Sequence, residues 1–300
     1  METLHFRARV RDRGVDLLEP DLARRLWDAL RRAFPLVLAV VLMPEHLHLL
    51  LLALDATLER RRLSRAVARA TAGRGRGVWE PVERAAVVPD ALHRKRSVRY
   101  ILLNPCRRGL ARDPAEWTWS TYRDVVGATV DPWVTPQALA PLMGWPTWGW
   151  LERFHEYVSS DPSVAVAGTP PPLPARACVL PEQRLDDLIA ATASAMRVPP
   201  RAIRRRGSAR NVFVGLAWRQ GWRRSDVIAL HCGVSPSTVR RIAARGPVDG
   251  VEAAALCLGD DRLRSSADAL DQHALNARRT RIQFAGGDQP GLSARRMRIQ

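Results

Sequence analysis

The chain has 300 residues and a mass of 33.5 kDa, and its 47 Lys and Arg against 30 Asp and Glu give a formal charge of +17 and an isoelectric point near 11.3. That excess is far beyond what solubility requires and points to a polyanionic partner, nucleic acid first. Four cysteines without paired spacing argue against a disulfide framework or zinc knuckle, and the longest apolar run, Leu47 to Ala53, is too short to cross a bilayer, so a soluble, cytoplasmic, nucleoid-associated protein of one or two domains is expected, with no membrane partner.

In chain order, HFRARVRDRG alternates large and charged residues and reads as a short strand. Residues 21–33 place Leu22, Leu26, Trp27 and Leu30 on one helical stripe with arginines opposite, which is an amphipathic helix. FPLVLAVVLMPEHLHLLLLAL is two apolar runs broken at Met43-Pro44-Glu45, and reads as two buried antiparallel strands joined by a turn. Residues 58–71 are helical and basic, GRGRG is a loop, and VWEPVERAAVVPD holds a further strand. Asp90 then caps a helix through Tyr100 to about Asn104, which Pro105 should end.

A tryptophan-rich stretch, Trp117 to Trp150, and LERFHEYVSS should wrap this first domain as a structured tail. The prolines and small residues of VAGTPPPLPAR mark a linker at 161–180. A helical region follows over 181–258, and the basic, weakly patterned stretch 259–300 is expected to be disordered. The resulting division is a first domain over 1–160, a proline-rich linker, a small all-α domain and a tail.

Side chains two apart on a strand point the same way, so His46 and His48 present two imidazoles to one face while Leu47 turns to the other. Such a pair can hold a metal ion, or can be two ordinary, partly buried histidines. In RYILLNPCRRGL, Tyr100 and Asn104 lie one helical turn apart, so a phenol and an amide oxygen could reach the same metal-bound phosphate. The plain alternative is a packed tyrosine and a helix-ending asparagine.

Taken together, MPEHLHLLL, RYILLNPCRRGL and WTWSTYRDVVG stand in the order found in the single-tyrosine HUH transposases, and resemble in particular the REP-associated tyrosine transposase group over about residues 1–160. The resemblance implies an α+β fold, with a ferredoxin-like antiparallel sheet covered by helices. It also implies cleavage and rejoining of single-stranded DNA or hairpin ends through a 5′-phosphotyrosine, assisted by magnesium or manganese. Carried onto this sequence, His46, His48 and Asn104 become metal ligands and Tyr100 the catalytic nucleophile, with Asn104 completing or orienting the metal shell. A homodimer is a further expectation from the family. The segment between His48 and Tyr100 is shorter than the family's, so the alternative is an inactive, domesticated DNA-binding regulator. Tyr122 and Tyr157 fall off the matching motif and are read as packing or surface residues.

Toward the C-terminus, RSDVIALHCGVSPSTVRRIAAR has the pattern of a helix-turn-helix: Ser225 or Asp226 caps the first helix, Gly233 makes the turn and Ser235-Pro236 opens the second. Ala229, Leu230, Val234, Val239 and Ile242 would supply the apolar contacts. Ser237, Thr238, Arg240 and Arg241 on the second helix, with Arg204, Arg205 and Arg206 upstream, are the candidate contacts to duplex DNA. The stretch Leu185 to Ala244 is similar to the helical DNA-binding domain of chromosomal replication initiators, without a phosphate loop for ATP.

Overall fold

The computed structural model describes residues 1–11, 14–74, 77–164, 166, 169–171 and 183–267. Four strands, β1 (Glu2–Arg9), β2 (Ala39–Leu42), β3 (His46–Ala53) and β4 (Ala86–Val88), form one antiparallel sheet in the order β2-β3-β1-β4. Helix α1 (Pro20–Ala33) lies between β1 and β2 in the chain, and α2 (Ala56–Ala70) between β3 and β4. The fold is therefore α+β. Met43-Pro44-Glu45 turns β2 into β3, closed by a hydrogen bond from the Met43 amide to the His46 carbonyl.

Alternation along the central strands gives the sheet two characters. Leu47, Leu49 and Leu51 of β3 and Leu4, Phe6 and Ala8 of β1 are at most 2% exposed, and join the buried stripes of α1 (Leu22, Leu26, Trp27, Leu30) and α2 (Leu63, Ala66, Val67, Ala70) in one core. The other face carries His46 and His48, opposite Arg9 and Arg7 of β1. Asp55 caps α2 by accepting from the Thr57 and Leu58 amides, a contact type that contributes about 1 kcal/mol.

Helix α3 (Ala91–Leu102) is capped by Asp90, as expected, through the His93 amide. Its end corrects the sequence reading. Leu103 terminates α3, and a further turn, α4 (Asn104–Arg107), begins with Pro105 in its first positions. Proline lacks an amide hydrogen, which costs nothing in a first turn, so Pro105 opens a new turn instead of closing the old one.

The tryptophan-rich segment seals an edge of the sheet. The Leu42 amide donates to the Trp119 carbonyl, the Thr121 amide donates to the Val40 carbonyl, and the Trp117 indole donates to the Leu42 carbonyl at 2.9 Å. The free side of β2 is thus hydrogen-bonded instead of open. Short helices α5 (Tyr122–Val125) and α6 (Pro136–Leu139) follow, then α7 (Trp150–Ser159).

Beyond residue 183 come α8 (Leu185–Met196), a 3₁₀ turn (Pro200–Arg204), α9 (Ser208–Arg219), α10 (Ser225–Cys232), α11 (Pro236–Ala243) and α12 (Val251–Gly259). Gly233, at φ +63°, turns α10 into α11, and Ser235 caps α11 through the Thr238 amide. Two details differ from expectation. Arg224, not Ser225 or Asp226, precedes α10, with no side-chain cap; Asp226 instead pairs with Arg224 at 2.7 Å. Leu230 is 76% exposed, and Ile228 takes the core position beside Ala229, Val239 and Ile242. Residues 261–267, assigned to a disordered tail, are helical, with Leu263, Ser266 and Ala267 buried; the tail beyond 267 and most of the linker at 161–180 lie outside the described residues.

Buried residues of the N- and C-terminal regions belong to one continuous cluster. Arg123 is fully buried. It donates to the carbonyls of Ala115 (2.9 Å) and Leu263 (3.1 Å) and to the hydroxyls of Ser194 (2.5 Å) and Ser266 (2.9 Å). Arg197 donates to the Thr118 and Ser120 carbonyls and to Asp124 at 2.7 Å, with its guanidinium over the Trp27 ring. Gly250 permits the closest approach: a Cβ there would fall 2.5 Å from Val130 Cγ1, and its φ of +92° suits glycine. Among the described residues no helix is long and apolar enough to cross a membrane.

Candidate functional site

The His-bearing face follows from register. On an antiparallel pair, residues directly opposite share a face, so Arg7 lies beside His48 and Arg9 beside His46, while His5, opposite Leu50, sits one diagonal step from His48. The His46 and His48 ring centroids are 5.0 Å apart, and His5 Nε2 lies 3.0 Å from His48 Nδ1. Helix α3 crosses this face, tied by a bond from Arg94 Nε to the Thr3 hydroxyl at 3.0 Å. It brings the Tyr100 ring to 5.9 Å from His48 and 6.4 Å from His5, in both cases edge-on. Three segments far apart in sequence thereby meet.

Tyr100 is 41% exposed, and the Arg107 guanidinium lies 4.9 Å from its ring centroid. Asp161 holds that guanidinium and also pairs with Arg99 at 3.6 Å; Arg99 in turn lies over the Tyr157 ring. Asn104 is buried at the start of α4, and its Nδ2 has no hydrogen-bond partner. His46 Nδ1 and Arg7 Nε are likewise buried without partners. Buried polar atoms normally are paired, so these orphans are unusual.

Burial and the neighbouring charges keep both imidazoles neutral. Burial lowers the pKa of His46 to about 4, with Arg7, Arg108 and Arg9 lowering it further and Glu45 opposing. For His48 burial again comes first, then His5, His46, Arg7 and Arg108, and the value falls to about 3. Neutral imidazole is the form that binds a metal. Among the described residues no group of three or more His, Cys, Asp and Glu is placed to hold a metal ion. His46 Nδ1 is a buried ring nitrogen without a protein partner, whereas the unpartnered atom of Asn104, Nδ2, is an N–H donor.

Other residues singled out from sequence lie elsewhere. Tyr122 is fully buried, stacked on Phe154 and hydrogen-bonded to His155 Nδ1, and burial raises its pKa well above the usual phenol value. Tyr157 packs edge-on against Trp145. Arg204, Arg205 and Arg206 are exposed at and after the 3₁₀ turn, and Ser237, Arg240 and Arg241 are exposed on α11, with Thr238 half-buried. Arg240 donates to the Ser225 hydroxyl at 3.1 Å.

Sequence reasoning missed His5, Arg7, Arg107 and Arg108. The alternation of HFRAR did place His5, Arg7 and Arg9 on one side of a strand, but nothing local says which strand lies beside it. Only the β1–β3 register does.

No protein-family model and no curated protein matches the sequence. Among solved structures, one described as a REP-associated tyrosine transposase bound to a REP hairpin is similar over 41% of this chain and 78% of that one, at 23% identity and a TM-score of 0.35.

Proposed function

We propose that this chain cleaves and rejoins single-stranded DNA through a covalent link between Tyr100 and a 5′ phosphate, as the single-tyrosine transposases that its sequence resembles do. The observation that carries the reading is the meeting of the His46–His48 pair with an exposed tyrosine on a face lined by arginines. The βαββαβ order and the strand order β2-β3-β1-β4 support a ferredoxin-like sheet of the kind this family uses.

The chemistry follows from the groups present. Tyr100 Oη attacks the phosphorus of the scissile diester, the bond from phosphorus to the 3′ oxygen breaks, the phenol proton leaves to solvent, and the departing 3′ oxygen takes up a proton from solvent to become a hydroxyl. The 5′ phosphate stays on Tyr100 Oη, so the bond energy is conserved. Attack by a 3′ hydroxyl on that linkage reverses the step and rejoins the strands. Arg7 and Arg108, whose charges already act on His48, offset the phosphate's negative charge. A magnesium or manganese ion held by His46, His48 and the Asn104 amide would supply Lewis-acid withdrawal from a non-bridging oxygen. The α10–α11 pair, with Arg240, Arg241, Ser237 and Thr238, and the basic run Arg204, Arg205, Arg206, would anchor duplex DNA beside the cut.

The test is a labelled DNA hairpin with a single-stranded flank, incubated with manganese and resolved on a denaturing gel. The wild-type chain is expected to retain label covalently, and Tyr100→Phe to lose it. An adduct that survives Tyr100→Phe overturns the assignment. Salt-sensitive DNA binding without any adduct favours the alternative, a regulator derived from a transposase.

A further inference from the structure

Helices α1 and α2 pack side by side and leave an open trough of about 540 Å³ between their outer surfaces. Its floor is small: Ala29 and Ala33 from α1, Ala66 and Ala70 from α2. Its walls are basic, with Arg25 and Arg32 on α1 and Arg62, Arg65 and Arg69 on α2, against Asp28 alone among acidic lining residues. It shares no lining residue with the site of His46, His48 and Tyr100.

The arrangement is ordered along the helices. Arg25 and Arg32 are seven residues apart, as are Arg62 and Arg69, so each row runs about 10 Å at 1.5 Å per residue. All five arginines are exposed. Arg62 pairs with Glu59 at 3.1 Å, and Arg25 Nε donates to the Ala70 carbonyl at 3.3 Å. Arg32 and Arg69 have no carboxylate within ion-pairing distance among the described residues. Like charges clustered this closely cost self-repulsion unless an anion sits between them.

We propose that the trough binds the sugar-phosphate backbone of one strand of a nucleic-acid duplex. Two facing rows of guanidiniums match a polyanion lying between them, and the alanine floor lets its backbone come close. A duplex is chosen over a single strand because the lining is arginine, alanine and one aspartate, without the aromatic rings on which unpaired bases stack. The trough extends the DNA reading above, and adds a duplex contact on α1 and α2 independent of strand cleavage.

The test is titration of a blunt DNA duplex of about 20 base pairs with the full chain, followed by fluorescence anisotropy from low to high salt. Arg32→Ala/Arg65→Ala/Arg69→Ala should raise Kd tenfold or more and reduce the slope of log K against log salt by roughly 2 to 3, since each lost phosphate contact removes about 0.9. The matching Arg→Lys triple variant keeps the charge and should stay within a few-fold of wild type. Circular dichroism confirms that both are folded; alanine favours an exposed helix position, so α1 and α2 are retained. Adduct formation on a stem-less single strand should be unchanged by the triple alanine variant, which separates this proposal from the Tyr100 assignment. An unchanged duplex Kd and salt slope overturns it, as does loss of binding to anionic phosphatidylserine vesicles with duplex binding intact.

Discussion

Replacing Arg123 with alanine tests the junction between the two halves of the chain. The guanidinium is fully buried and its charged form is disfavoured there by burial, so its removal does not simply delete its hydrogen bonds. The Leu263 carbonyl keeps bonds from Ser194 and Ser266, and those two hydroxyls are 2.6 Å apart. The Ala115 carbonyl is left without its donor, and Cys257 Sγ loses its bond from the guanidinium at 3.4 Å. An orphaned acceptor costs about 1–3 kcal/mol, and the two lost methylenes, Cγ and Cδ, cost roughly 1.6 kcal/mol more at about 0.8 each. Relief of the desolvated charge offsets part of this, for a net loss of about 3 kcal/mol. At about 2–4 °C per kcal/mol for a chain of this size class, Tm falls by roughly 6–12 °C. Arg123→Met restores the apolar volume and should recover about half of the loss. Urea unfolding followed by circular dichroism gives the stabilities, and hydrogen exchange should show residues 261–267 losing protection first. An alanine variant within 0.5 kcal/mol of wild type, or a methionine variant no better than the alanine one, refutes this account of the junction.

Acid should destabilise the fold through the same imidazoles that form the site. The unfolded chain takes up protons near pH 6.5, whereas folded His46 and His48 resist until about 4 and about 3, so stability from this source is full above pH 6.5 and falls as pH drops toward 4. His46 alone accounts for roughly 3 kcal/mol of that fall; denaturant titrations at pH 7.5, 6, 5 and 4 measure it, and a His46→Asn curve that overlays wild type contradicts it. At the tyrosine, Asp161→Asn should free Arg107 and Arg99 and slow adduct formation about tenfold, equivalent to 1.4 kcal/mol, with Asp161→Glu retaining more of the rate. A change in Tm without a change in adduct rate would show that Asp161 acts on stability alone.

Much of the framework was legible in the sequence because its determinants are local. The stripe of Leu22, Leu26, Trp27 and Leu30 specified α1, the broken apolar run specified the β2–β3 hairpin, and Asp90 specified the start of α3. Alternation alone put His46 and His48 on one side of β3. What a strand lies beside, and what a helix crosses, are long-range facts. The β1–β3 register brought His5 and Arg7 to the pair, α3 brought Tyr100 over them, and Asp161 reached back to Arg107. The same limit explains the errors. Leu230 and Ile228 are equally apolar, and only the packing of α10 decided which one faces inward; residues 261–267 are held to the core where Arg123 and Ser194, far away in sequence, meet the Leu263 carbonyl. Periodicity and capping are written into neighbouring residues, whereas burial and convergence depend on which surfaces meet, and that is settled only when the whole core closes.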